Sequence, residues 1–209
     1  MTQLPESPAA ERNKQPILAC LQRLLPPQGR ALELASGTGQ HAAWFGAGLP
    51  QWDWQPSEAN SAALPTIAAW VQLAGVRNVR PPCLLDVSDP LWPSDDETLA
   101  SAFGQPFDAI FCANLLHIAP WSICQPLMQG ASRHLAPDGQ LLIYGPFLEG
   151  DVPTAESNLA FDASLQRQHP AWGLRQREAV ERCAHEAGLR LRLRLPMPSN
   201  NLMLVFKRA

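Results

Sequence analysis

The chain has 209 residues, of which 46% are apolar and 17% charged, with a net charge of -3. That length fits one domain with a sizeable core. No apolar run approaches the ~20 residues of a membrane span, and the acidic balance argues against a general nucleic-acid binder. Met1 to Ala10 lacks the basic and apolar regions of a secretory signal, and the five scattered cysteines form no CxxC pair. Reduced thiols in a cytoplasmic protein are therefore expected.

In chain order, residues 1–11 read as a mobile lead-in. After Arg12-Asn13-Lys14-Gln15-Pro16, the spacing of Ile17, Leu18, Leu21, Leu24 and Leu25 predicts one helical face. Pro26-Pro27-Gln28-Gly29 ends it, so an N-terminal helical extension covers about residues 1–28. Arg30 to Ala35 is a first strand, followed by a glycine turn and a helix to about Gly48. Trp52 to Pro56 is a second strand. A helix over Leu64 to Ala74 is closed by Gly75. Val79 to Val87 is a short third strand interrupted by Pro81-Pro82, and Ser94-Asp95-Asp96-Glu97 has capping-box spacing for a short helix.

Phe107 to Cys112 is apolar almost throughout, as suits a parallel strand covered on both faces. A helix follows from Pro120 to Leu135. Pro137-Asp138-Gly139 turns into a fifth strand, Gln140 to Tyr144. Gly145 to Leu174 carries little periodicity, which marks a functional or partly helical segment. Arg175 to Ala187 is a helix, and Leu189 to Leu195 and Leu202 to Phe206 are strands with only a short connection between them. Strands alternating with helices indicate an α/β fold with a mainly parallel sheet, and the last two strands should run antiparallel. From Asp162 onward nine Lys/Arg stand against four Asp/Glu. Arg190, Arg192 and Arg194 alternate with leucines, so a solvated strand face is favoured over an anionic partner.

Glycine turns after a first strand bind several cofactors. Gly37-x-Gly39-x-x-Ala42 fits the dinucleotide fingerprint formally. No Gly-Lys-Ser/Thr follows, no Gly-x-Ser-x-Gly elbow occurs, and the histidines show no metal-ligand spacing. Glu33 lies four residues before Gly37, at the end of the strand. A carboxylate there repels a pyrophosphate and attracts a cationic ligand.

Glu33-Leu34-Ala35-Ser36-Gly37-Thr38-Gly39 resembles motif I of the class I S-adenosylmethionine-dependent methyltransferases, with Ala35 where many members have a first glycine. Asp86-Val87 resembles the family's acidic position near the adenine. Phe107-Asp108-Ala109-Ile110 with Asn114-Leu115-Leu116-His117, and Leu135-Ala136-Pro137-Asp138-Gly139-Gln140-Leu141, resemble its strands 4 and 5. Glu33 to His41, Trp54-Gln55-Pro56-Ser57, Tyr144-Gly145-Pro146-Phe147, Ser157-Asn158 with Phe161-Asp162, Trp172-Gly173-Leu174-Arg175, Met197-Pro198-Ser199-Asn200-Asn201 and Glu11-Arg12-Asn13-Lys14 are similar to a methyltransferase-like family of unassigned substrate.

The resemblance implies a single-domain three-layer sandwich over residues 1–209, with a seven-stranded sheet of order 3-2-1-4-5-7-6 and strand 7 antiparallel. It implies S-adenosylmethionine as cofactor, held by Glu33, Ala35, Ser36, Gly37, Thr38, Gly39, His41, Asp86, Val87 and Asn114. The acid expected at the end of strand 2 is replaced by Gln55-Pro56-Ser57, with Glu58 slightly late, so the ribose contact is open among Gln55, Ser57 and Glu58.

Asn114, His117 and Tyr144 are the candidates for a catalytic role. Arg12, Asn13, Lys14, Tyr144, Phe147, Asn158, Asp162, Trp172, Arg175, Asn200 and Asn201 are the candidates for the acceptor pocket, with Arg12 to Lys14 before a helix that could act as a lid. No metal is implied. A small-molecule acceptor is expected, without nucleic acid or membrane, and a homo-oligomer is compatible with the sequence. The rival readings are a nicotinamide-dependent oxidoreductase and a non-catalytic S-adenosylmethionine-binding protein.

Overall fold

The computed structural model describes residues 4–90, 92, 99 and 102–209. Helix α1 (Pro8–Leu24) leads into strand β1 (Gly29–Leu34), helix α2 (Gln40–Gly48), strand β2 (Trp52–Glu58), helix α3 (Leu64–Ala74) and strand β3 (Cys83–Leu84). Strand β4 (Phe107–Ala113), helix α4 (Cys124–His134) and strand β5 (Leu135–Gly145) follow. A short strand β6 (Phe147–Leu148), helix α5 (Glu156–Gln168), a short strand β7 (Arg175–Gln176) and helix α6 (Arg177–Glu186) precede the closing strands β8 (Leu189–Met197) and β9 (Asn201–Arg208).

The main sheet has seven strands in the order β3-β2-β1-β4-β5-β9-β8. Strands β1 to β5 pair in parallel, and β9 is antiparallel to both β5 and β8. This is the expected 3-2-1-4-5-7-6 order once β6 and β7, which pair with one another apart from the main sheet, are set aside. Each face of the sheet carries its own core. Ile110 and Cys112 of β4 face the cluster that includes Leu127, Met128 and Val180 of α4 and α6. Ala109 and Phe111 face the cluster that includes Ile17, Leu21 and Phe45 of α1 and α2. Burial on both sides is why β4 has almost no polar residue.

Several boundaries differ from the sequence reading. Residues 8–11 are not a lead-in. Pro8 is the first residue of α1, where a missing N–H costs nothing, and the Ser7 hydroxyl accepts from Ala10 N at 3.3 Å. Arg12, Asn13 and Lys14 therefore lie within the helix. Strand β2 runs past Pro56 to Glu58. Strand β3 keeps only Cys83–Leu84, because Pro81-Pro82 cannot donate to a ladder. The ladder between β4 and β5 jumps from Phe107↔Leu135 to Ala109↔Gln140, so Pro137-Asp138-Gly139 bulges out of the strand. Arg175 and Gln176 belong to β7, and the helix starts at Arg177. Ser199 and Asn200 make the final hairpin tight by adopting φ of 59° and 58°. The capping-box helix expected at Ser94-Asp95-Asp96-Glu97 lies outside the described residues. All five cysteines are free.

The turn between β1 and α2 leaves no room at its second glycine. Gly39 has φ 88°, and a Cβ there would lie 2.6 Å from the Cα of Ile67. Positive φ and a backbone collision both oppose a side chain, so Gly39→Ala should cost about 3 kcal/mol or more of stability. Urea unfolding reads this as a lowered midpoint, and a loss below about 1 kcal/mol would contradict it.

Candidate active site

The carboxyl ends of β1, β4 and β5 come together where the chain leaves the sheet, the usual ligand crevice of an open α/β fold. Strand β1 delivers Glu33 to this edge, and the chain then turns sharply through Ala35 (φ 53°) and Gly37 (φ 59°). The turn hangs from the end of β2. Ser36 N donates to Ser57 O at 2.9 Å, Ser57 Oγ donates to Glu33 O at 2.7 Å, and Gly37 N donates to Glu58 Oε2 at 2.9 Å. Gly39 N turns back to Ser36 O at 2.9 Å.

Glu33 is 2% exposed. One carboxyl oxygen accepts from Trp54 Nε1 at 2.6 Å. Burial pushes its pKa up to about 8, hydrogen bonds from Trp54 and Ser36 offset part of this, and the negative charge of Glu58 adds to it. Among the described residues no cation pairs with it.

Of the strand-2 candidates, Gln55 and Ser57 are buried and committed. The Gln55 amide donates to Pro56 O and Pro81 O, each at 2.9 Å. Glu58 is the last residue of β2 and half-buried, so the acid does stand at the strand end. Asp86 is exposed, with Oδ1 accepting from Ser88 N at 2.8 Å, and Val87 beside it is buried.

Asn114 leaves β4 with φ 59°, and its N donates to Tyr144 O at 2.8 Å. A Cβ on Gly145 would sit 3.6 Å from His117 Nδ1 and 3.9 Å from Asn114 Oδ1. Both side chains thus face the space left by the absent one. His117 is 6% exposed, its ring meets Phe161 edge-on at 5.5 Å, and no hydrogen bond reaches its nitrogens among the described residues. Burial, with the nearby Arg175 charge, lowers its pKa to about 4, which leaves a neutral imidazole.

Arg175 itself is spent on the main chain. Its guanidinium donates to Leu116 O at 2.9 Å, Ala119 O at 2.7 Å and Ala171 O at 2.6 Å. It clamps the loop that carries His117, and Gly173 N adds a bond to His117 O at 3.0 Å. Asp162 Oδ1 accepts from Leu174 N at 2.7 Å. Asn158 Nδ2 donates to Asn200 O at 3.0 Å, and Asn201 Nδ2 to Pro198 O at 2.9 Å. These four order loops, Phe147 is buried in the core, and Trp172 packs against His169 at 5.5 Å.

Helix α1 reaches the same edge from the other side. Asn13 is buried and lies 2.6 Å from His41 Nε2. Lys14 pairs with Glu11 at 2.6 Å and lies 4.5 Å above the Trp44 ring. Arg12 is exposed. The sequence reading missed two residues. Trp54 stood in the stretch Trp54-Gln55-Pro56-Ser57 without a role assigned to it. Gln40 opens α2, and its amide joins Ser7 N, Thr38 Oγ1 and Glu11 Oε2. Nothing in its local pattern distinguishes it from any helix-start glutamine.

A family model described as "Protein of unknown function (DUF938)" matches residues 4–208. Among solved structures the chain is similar to the mitomycin 7-O-methyltransferase MmcR, with a TM-score of 0.78, 15% identity, and 96% of this chain and 54% of that one covered. It is similar to CalO1, a methyltransferase in calicheamicin biosynthesis in its SAH-bound form (TM-score 0.70, 14% identity, 96% and 55% covered). It is also similar to an O-methyltransferase family protein from Burkholderia thailandensis (TM-score 0.72, 20% identity, 96% and 57% covered). The chain thus spans little more than half the length of each, and at these identities the likeness shows a shared fold. Among the described residues no helix is long and apolar enough to cross a membrane.

The buried acid has a measurable signature. Its folded pKa of about 8 lies above the ordinary 4.5, so its contribution to stability is intact below pH 4.5 and is lost as pH rises to about 8. Glu33→Gln should match the parent at pH 4 to 5 and exceed it at pH 8 by on the order of 2 to 4 kcal/mol. Taking the difference between melting curves of the two proteins cancels the buried histidines, and no gap at pH 8 would refute the assignment.

Proposed function

The chain belongs to the DUF938 family, described as of unknown function, and from that premise we propose that it is an S-adenosylmethionine-dependent methyltransferase acting on a small-molecule acceptor. The observation that carries the reading is Glu33, a buried carboxyl with no counter-cation among the described residues. Such a group is costly unless a ligand brings a positive charge to it. The ammonium of S-adenosylmethionine is such a charge. A dinucleotide is disfavoured by the same turn, where Ser57 O, Glu58 and Ser36 O already take the N–H groups of Ser36, Gly37 and Gly39. A pyrophosphate would have to displace a carboxylate.

When bound, the cofactor supplies an electrophilic methyl group on a sulfonium. Glu33 holds the ammonium, and the exposed Gly37 lets the chain approach the methionine part without a side chain between. Glu58 is the strand-end acid with reach for the ribose hydroxyls, while Gln55 and Ser57 support the turn. Asp86 and Val87 would border the adenine.

Asn114 and His117 face the space over Gly145, on the acceptor side. A neutral imidazole whose nitrogens have no protein partner among the described residues can take the proton that a hydroxyl or amine loses as it attacks. Arg175 holds the loop so that this ring keeps its place, and burial keeps water from competing for it. The structural neighbours named as O-methyltransferases support an oxygen acceptor.

Calorimetry with S-adenosylhomocysteine tests the reading. Binding should strengthen by up to about tenfold per pH unit between pH 6 and 8, because Glu33 must lose its proton to meet the ammonium. Glu33→Gln should weaken it by about 30-fold or more. Binding of NADH in place of S-adenosylhomocysteine would sink the proposal. Once an acceptor is known, His117→Ala should lower turnover by about 100-fold with cofactor affinity unchanged.

A further inference from the structure

Strand β5 ends in a residue without a side chain, and named atoms bound the gap it leaves. Gly145 pairs with Leu202 at the last register position between β5 and β9. Its φ is not among the positive ones, so the backbone there suits residues other than glycine. A Cβ at Gly145 would meet His117 Nδ1 at 3.6 Å and Asn114 Oδ1 at 3.9 Å, which is ordinary van der Waals contact. The fold itself therefore has no steric reason to exclude alanine. A methyl group there would instead fill the gap against both polar atoms.

His117 faces this gap and is more than nine-tenths buried. Its place is set through the main chain, by Gly173 N on its own carbonyl and by Arg175 on Leu116 O and Ala119 O. Among the described residues, the fully enclosed side-chain atoms left without a hydrogen bond are Trp44 Nε1 and Arg177 Nε. His117 is not one of them, so its partnerless ring nitrogens are reachable from outside. Beside the imidazole stands Phe161 of α5, edge-on with ring centroids 5.5 Å apart. Asn158 and Leu165 lie on the same side of that helix and are buried, so Phe161 is on its inward face. Phe161 is nevertheless 40% exposed. An inward aromatic ring with open surface, next to one reachable and precisely held polar group, is the usual makeup of a small-molecule pocket.

We infer that Gly145 and Phe161 select the acceptor and that it is a phenol: its hydroxyl enters the gap at Gly145 to meet His117, and its ring lies against Phe161. The inference rests on the methyltransferase reading and names the substrate class of that site. The strength of the base agrees with it. Burial holds His117 at a pKa of about 4. A phenol ionises near about 10, whereas an alkyl alcohol resembles water at about 16. Proton transfer to this imidazole is therefore uphill by about six powers of ten from a phenol and about twelve from an alkyl alcohol. In the transfer, the phenol oxygen forms a bond to the methyl carbon, the sulfonium carbon–sulfur bond breaks with its electron pair going to sulfur, and the phenol proton passes to His117 and then to water.

The test compares methyl transfer from S-adenosylmethionine to phenol, 2-naphthol and 4-phenylphenol with transfer to their saturated counterparts, cyclohexanol, decahydro-2-naphthol and 4-cyclohexylcyclohexanol, reading the methyl ethers by mass spectrometry. At least one phenol should react about 100-fold or more faster than its counterpart. Gly145→Ala should slow that reaction about tenfold or more by keeping the hydroxyl from His117. Its melting temperature and its affinity for S-adenosylhomocysteine should stay close to the parent and serve as the folding control. Phe161→Ala should raise KM for the phenol about 3- to 10-fold, with kcat moved less. No transfer to any of the phenols, equal rates for phenols and alcohols, an unslowed Gly145→Ala or an unmoved KM in Phe161→Ala would overturn the inference while leaving the cofactor site intact. Failure to bind S-adenosylhomocysteine overturns the methyltransferase reading and this inference with it.

Discussion

The bond from Trp54 Nε1 to the Glu33 carboxyl, 2.6 Å long and wholly inside the protein, sets the terms for the rest of the site. A buried acid needs partners, and here the partners come from the neighbouring strand and the following turn. Trp54 fixes one oxygen, Ser57 fixes the carbonyl of the same residue, and the Ser36 hydroxyl accepts from Ser57 N beside it. The parallel register that sets Ala31 beside Trp54 and Glu33 beside Pro56 is what makes this possible. The carboxyl is held in place, but among the described residues no cation balances the charge it takes on when it ionises. That combination holds a ligand-free protein at a cost, and a cation offsets it.

The turn, the strand end and the N-terminal helix form one connected unit. Glu58 supports Gly37, and the Gln40 amide connects the turn to α1. Asn13 carries the connection on to His41. The irregular segment between β5 and α6 completes the other wall in a different way. Its polar residues mostly bind main-chain atoms of loops, so their effect on an acceptor is through the shape of the loop that carries His117.

Much of this was legible in the sequence for physical reasons. The apolar run of β4 has to be covered on both faces, Gly75 has the positive φ of a helix terminator, and a closing pair of strands without a helix between them has to be antiparallel. Glu33 stood out because an acid before a glycine turn selects the charge of its ligand. The end of β2 was not legible, since Pro56 reads as a strand breaker. In the fold the Pro56 nitrogen faces β3, and β3 pairs with β2 only from Ser57 onward, so the missing N–H breaks no ladder bond. The division of polar residues into those that face the cleft and those that tie loops was equally hidden. Arg175, Asp162 and Asn158 have the chemistry of binding residues, and tertiary context alone commits them to carbonyl and amide groups of the backbone.

One side chain makes residues far apart in sequence answerable to each other. The Gln40 amide touches the main chain at Ser7, the hydroxyl of Thr38 and the carboxylate of Glu11, using both its oxygen and its nitrogen. Replacing it leaves more than one group without a partner, so changes at positions 7, 11, 38 and 40 are not energetically independent. Relatives of this chain that alter Gln40 should carry compensating changes at the others, and the start of α1 should drift in concert with the glycine turn. Heredity at this corner of the molecule acts on a set of four positions.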